Sequence, residues 1–108
     1  MKEISFSVVM IILLACNNTK HSKSEIKEIT YQNTIQKIVK RKCTFCHRGN
    51  RAPNGLILTS YAEVRAATER GVLIQRINDA ENPMPKSGLM SEKNREAFKK
   101  WTENGYAE

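Results

Sequence analysis

Cys43-Thr44-Phe45-Cys46-His47 sets two thiols and an imidazole within five consecutive residues of a 108-residue chain. Thiols at this spacing can each add to one of the neighbouring vinyl groups of a haem, and the adjacent histidine then falls beneath the iron as a proximal ligand. Thioether attachment suits a small domain, because the cofactor stays on the chain when the fold breathes. Other chemistries use the same residues. A closed zinc site takes four ligands, and beyond Cys43, Cys46 and His47 the only further histidine is His21. A thioredoxin-like dithiol expects its CxxC beside a βαβ pattern, and a disulfide across two residues would brace little of the fold. Haem attachment is the chemistry that the surrounding chain favours.

An attachment motif needs an element to deliver it. Tyr31, Ile35, Ile38, Val39 and Lys42 recur at helical spacing, a face that ends just before Cys43. Gly49, Pro53 and Asn54-Gly55 then predict a loop and a turn. Ser60-x-x-Glu63 reads as a capping box opening a second helix, which Gly71 stops. Leu73, Ile74 and Ile77 fit a short third helix, after which Asn82-Pro83-Met84-Pro85 and Gly88 impose an extended loop. Ser91 caps a last helix with Ala97, Phe98 and Trp101 on its apolar face, closed by Asn104-Gly105. The expected class is all-α, without strand alternation, internal repeat or low-complexity tract. Tyr31 to Glu108 is 78 residues, and domains below roughly 80 residues often need a staple besides their core, which a large apolar cofactor would supply.

Length bounds the chain to one small domain, and an apolar fraction of 40% argues against long-range disorder. No apolar run reaches the roughly 20 residues a helix needs to cross a bilayer. Ile4 to Leu14, after Met1-Lys2, resembles a secretory signal core; as a helix it would span roughly 18 Å against a hydrocarbon layer of ~30 Å. Leu13-Leu14-Ala15-Cys16 is similar to the lipobox of bacterial lipoproteins, so lipidation of Cys16 after cleavage is expected and accounts for the odd third cysteine. A signal cut elsewhere and a greasy first helix are the competing readings. The expected organisation is a signal peptide over 1–15, a flexible polar tether over 16–30 containing a solvated His21, and a folded domain over 31–108.

The order of helix, CxxCH, loop, helices, Met-Pro and C-terminal helix resembles the small monohaem c-type cytochromes of bacterial envelopes. Met84-Pro85-Lys86-Ser87-Gly88-Leu89 and Phe98-Lys99-Lys100-Trp101-Thr102-Glu103-Asn104-Gly105 are similar to that family's Met loop and final helix. The resemblance runs from Tyr31 to Gly105 and departs at Thr102, where an apolar residue commonly follows the tryptophan. It implies a cytochrome c-like domain of three to four helices wrapped around one haem c, covalently bound at Cys43 and Cys46. Of the four methionines, Met1 and Met10 leave with the signal. Met84, stiffened between Pro83 and Pro85, is the expected distal thioether ligand, and Met90 is expected to fill core. With His47 and Met84 as axial ligands the iron has no open site and a raised potential, which suits an electron carrier.

The same resemblance places an acceptor for the second ring nitrogen of His47 in the loop after the motif, where the Pro53 carbonyl is the candidate. Phe98 and Trp101 are expected to pack the last helix on the first and on the haem edge, and Tyr61 to make ordinary helix contacts. The implied function is a lipid-anchored single-electron carrier between envelope redox proteins, expected to be a monomer and not an enzyme with its own substrate. A haem-based sensor or diatomic gas binder with Met84 off the iron is the alternative reading, and an accessory subunit of a larger dehydrogenase or oxidase a third.

Lys37, Lys40, Arg41, Lys42, Arg48 and Arg51 lie between Glu28 and Glu63 with no acidic residue among them. From Tyr31 onward the chain carries seven Lys and seven Arg against eight acidic residues. A basic surface beside the attachment motif would steer an acidic redox protein, faster at low salt, and would also be drawn to anionic lipid. No recognition motif for nucleic acid accompanies the charge. The expected location is the cell envelope, facing the periplasm or the exterior and held to a membrane through Cys16.

Overall fold

A computed structural model describes residues 27–108. The signal peptide expected over 1–15, lipidation at Cys16 and the part of the tether that holds His21 lie outside the described residues. Among the described residues the chain is helical, with no strand, in agreement with an all-α class.

Thr30 opens the first helical segment with a reciprocal cap. Its hydroxyl accepts from the Asn33 amide at 3.1 Å, and the Asn33 side-chain oxygen accepts from the Thr30 amide at 2.9 Å. The Asn33 side-chain amide also donates to the Glu28 carbonyl, and Ile29 packs on the core. Tertiary contacts therefore begin ahead of the boundary expected at Tyr31, because the cap draws the preceding residues onto the domain. A wide π-helical turn, Tyr31–Ile35, leads into α1, Gln36–Lys42. Tyr31, Ile35, Ile38 and Val39 are buried, as their spacing predicts, whereas Lys42 is exposed. The segment ends at Cys43, whose amide donates to the Val39 carbonyl at 2.9 Å.

Two 3-10 turns follow, Gly49–Arg51 and Pro53–Gly55. Asn54 and Gly55 have φ of 55° and 67°, the left-handed region that this residue pair tolerates at small cost. α2 spans Tyr61–Glu69, and Ser60 accepts from the Glu63 amide at 3.3 Å. The predicted capping box is half made. Glu63 accepts from the hydroxyls of Ser60 and Thr59, at 2.6 and 3.0 Å, instead of reaching the Ser60 amide. Gly71, at φ 79°, separates α2 from α3, Val72–Ile77. α4 spans Glu92–Glu103 behind Ser91, whose hydroxyl accepts from the Asn94 amide at 3.2 Å.

Trp101 and Phe98 on α4 are the largest fully buried side chains, with Ile35, Val39 and Val64 packed in the same core. Trp101 sits among Tyr31, Tyr61, Phe98 and Tyr106, with ring centroids 5.1 to 6.5 Å away. Its indole nitrogen donates to the Ala107 carbonyl at 2.8 Å. Residues 107 and 108 thereby return to the first described helical segment. The Tyr31 and Gln32 amides, which have no partner within their own helix, donate to the carbonyls of Ala107 and Glu108 at 2.8 and 3.2 Å.

Candidate cofactor cleft

α1 ends by handing the chain to the cysteine motif at the edge of a cleft of about 390 Å³, within the roughly 300–1,000 Å³ usual for ligand sites. Cys43, Cys46 and His47 line it from the motif, and Met84 and Pro85 from the loop after α3. Leu56, Leu58, Leu73 and Ile77 supply apolar lining. Its charged lining is all positive, from Lys42, Arg70, Arg76 and Lys86, and none of the four makes an ion pair among the described residues.

His47 is held by the loop that it begins. Its Nδ1 lies 2.8 Å from the Leu56 carbonyl, and its own carbonyl accepts from the Leu58 amide at 2.9 Å. A carbonyl can only accept, so the contact calls for a proton on Nδ1 and leaves the lone pair on Nε2 for a metal. The expected acceptor was Pro53, and here the expectation is corrected. The Pro53 carbonyl closes its own 3-10 turn by accepting from the Leu56 amide at 3.1 Å, and the turn carries Leu56 to the imidazole instead. Pro53 itself still lines the cleft.

Thr44, between the cysteines, has its hydroxyl 3.2 Å from both the Val39 and the Leu58 carbonyls. It ties the motif to the helix before it and to Leu58 in the loop after it. Thr44 and Leu56 were not legible as site residues, since neither a hydroxyl among polar neighbours nor a main-chain carbonyl marks itself in a sequence. Phe45 is 80% exposed and lies under the Arg48 guanidinium, 5.6 Å from its centroid.

The two thiols are free and differ in surroundings. Burial pushes the Cys43 thiol up to about 11, whereas Cys46 is exposed. Among the described residues no group of three His, Cys, Asp or Glu side chains is placed to hold a metal ion. The residues do fit a haem attached through both thiols: an apolar wall, an imidazole with Nδ1 already engaged, and a thioether on the same cleft.

Met84 is half-buried at the cleft, and its amide donates to the Arg76 carbonyl at 3.1 Å. Met90 is buried in the core away from the cleft lining, as expected of core filler. Trp101 does pack the last helix on the first, but it does not line the cleft, and neither does Phe98. The indole nitrogen is committed to Ala107 and the ring to the tyrosines around it, so the apolar face of α4 is spent on the core. Tyr61 packs in that group as well and donates to the Tyr106 carbonyl at 2.7 Å. Comparison of the chain with protein-family models, with curated proteins and with solved structures finds no match.

Proposed function

We propose that the protein is a single-electron carrier of the cell envelope, a monohaem c-type cytochrome with haem bound at Cys43 and Cys46 and iron ligated by His47 and Met84. One observation carries this reading: a single cleft gathers both thiols, an imidazole whose Nδ1 is held by a carbonyl, and Met84, the one described methionine that lines it. The bound haem supplies a reversible one-electron couple, and the protein sets its potential, access and docking.

Each residue then has a definite task. Cys43 and Cys46 keep the group on the chain, and the Leu56 carbonyl fixes the plane and tautomer of His47. Leu56, Leu58, Leu73 and Ile77 exclude water from the cleft, and the Met84 thioether would be the second protein ligand of the iron, which favours electron transfer over ligand binding. Lys42, Arg70 and Lys86, exposed at the cleft, offer an acidic redox partner a docking rim. Anchoring through a lipid on Cys16 belongs to the same proposal.

The test is an optical spectrum of protein produced with a haem-attachment system, oxidised and reduced, with and without carbon monoxide. The expected result is haem that stays on the denatured chain and a reduced spectrum indifferent to the gas. Ready gas binding would assign the cleft to a gas sensor or binder, and a chain that takes up no haem would overturn the proposal.

A further inference from the structure

Met84 stands on a loop, and a loop does not by itself decide where a sulfur points. Arg76, on α3, is bound to that loop twice. Its carbonyl accepts from the Met84 amide at 3.1 Å, and its guanidinium Nε donates to the Asn82 carbonyl at 3.3 Å. The two anchors bracket Pro83. Proline fixes its own φ and offers no N–H, and Asn82 and Met84, each preceding a proline, are confined to extended backbone. A tripeptide with so few free torsions is placed by two points. Both points belong to a residue that also lines the cleft, on a helix seated in the core by Leu73 and Ile77.

We infer that Arg76 is the positioning residue for Met84: its side chain ties the Asn82 carbonyl to α3 and so holds the Met84 thioether at the cleft. The inference rests on the reading of the cleft as a haem site. Substitution leaves the main-chain half of the clamp in place, so variants of Arg76 test the side-chain half alone. Arg70 is the matching control. It is a second arginine on the same cleft and makes no hydrogen bond to the Met84 loop, so its removal changes charge without changing the clamp.

The experiment uses the full haem-loaded chain and titrates its oxidised form with imidazole, which competes with a thioether for the iron; the reduction potential is recorded in parallel. Arg76→Ala is expected to bind imidazole about three- to tenfold more tightly than the parent, the net worth of one ordinary solvent-exposed hydrogen bond, and to lower the potential. Arg76→Leu keeps an apolar stem at the cleft and is expected to behave alike, which covers failure of the alanine variant to load haem. Arg70→Ala is expected to stay within about twofold of the parent, since it removes no hydrogen bond to the loop. Unchanged affinity in both Arg76 variants, or equal shifts in the Arg76 and Arg70 variants, would overturn the inference. Met84→Ala separates the two levels. If it tightens imidazole binding while the Arg76 variants are silent, only the positioning role falls. If it too is silent, Met84 is not a ligand and both readings fall together.

Discussion

At Cys43 a single side chain reports on the cleft. Its thiol is pushed from 9.0 up to about 11 by burial, so in the haem-free chain the fold favours the neutral form. An acid whose pKa is raised by folding contributes its full stability below its unfolded value and loses it as pH climbs toward the folded one. Stability of the haem-free protein should therefore decline between about pH 9 and pH 11. Tyr31 is also raised, chiefly by burial with the Glu63 charge adding, and contributes to the same decline. Cys43→Ala isolates the thiol: urea midpoints measured across that range should fall less steeply than in the parent. Identical slopes would mean that Cys43 is not desolvated. The same residue shows what the sequence made legible. Cys43, Cys46 and His47 announce themselves because their chemistry is local in sequence. The acceptor for His47 does not, since every residue has a carbonyl and only the path of the 53–56 turn selects that of Leu56.

Elements were legible where their starts and stops are local chemistry. Ser60 and Ser91 cap the helices they were expected to cap, and Asn104-Gly105 closes α4, because a hydroxyl or a left-handed turn acts within three or four residues. Gly71 is the sharpest case. It sits at φ 79° between α2 and α3, and a Cβ added there would meet nothing within 4 Å. The cost of Gly71→Ala is thus conformational and not steric, about 1 kcal/mol. Gly71→Asn should cost less, because asparagine tolerates the left-handed region better than alanine does. Denaturant unfolding of the protein checks both, and equal losses would mean that the junction relaxes out of the left-handed region. The two variants also bear on function, since α3 carries Arg76 and sets the base from which the Met84 loop departs. What remained illegible was the first turn of the leading segment. Tyr31 and Gln32 find their acceptors at the far end of the sequence, and no helical period encodes that.

On the scale of the whole molecule, two features arise only from assembly: the tail that closes the core and the charge that rings the cleft. Helical spacing places Trp101 on the inner face of α4 but is silent on what that face meets, and the answer is the tyrosines and the returning chain end. Removal of residues 106–108 takes away the acceptors of the Trp101 indole, the Tyr61 hydroxyl and the Tyr31 and Gln32 amides. At about 1 kcal/mol for each hydrogen bond, truncation after Gly105 should lower stability by roughly 3–4 kcal/mol, read as a drop in the urea midpoint; a drop under about 1 kcal/mol would mean that water replaces the tail. The charge is likewise assembled. Basic residues cluster in sequence on and after α1, yet Arg70, Arg76 and Lys86 reach the cleft from other elements, and of the sequence cluster only Lys42 joins them. Steering by such a rim depends on where charges sit, not on how many there are. Hexacyanoferrate(III), an anionic oxidant, and a cationic cobalt complex of similar size distinguish the two. On the proposed reading, oxidation of the reduced haem protein by the anion should slow as salt rises and by the cation should quicken, because at 0.1 M exposed charges more than about 10 Å apart are already largely screened. Lys86→Glu should slow the anionic oxidant on the order of threefold at low salt, and the difference should vanish at about 1 M. Lys37→Glu makes the same change in net charge on the exposed side of α1, away from the cleft lining. If the two variants slow the anion equally, the protein presents a diffuse positive charge and the rim has no steering role; if only Lys86→Glu does, electrons leave through the cleft that the rim surrounds.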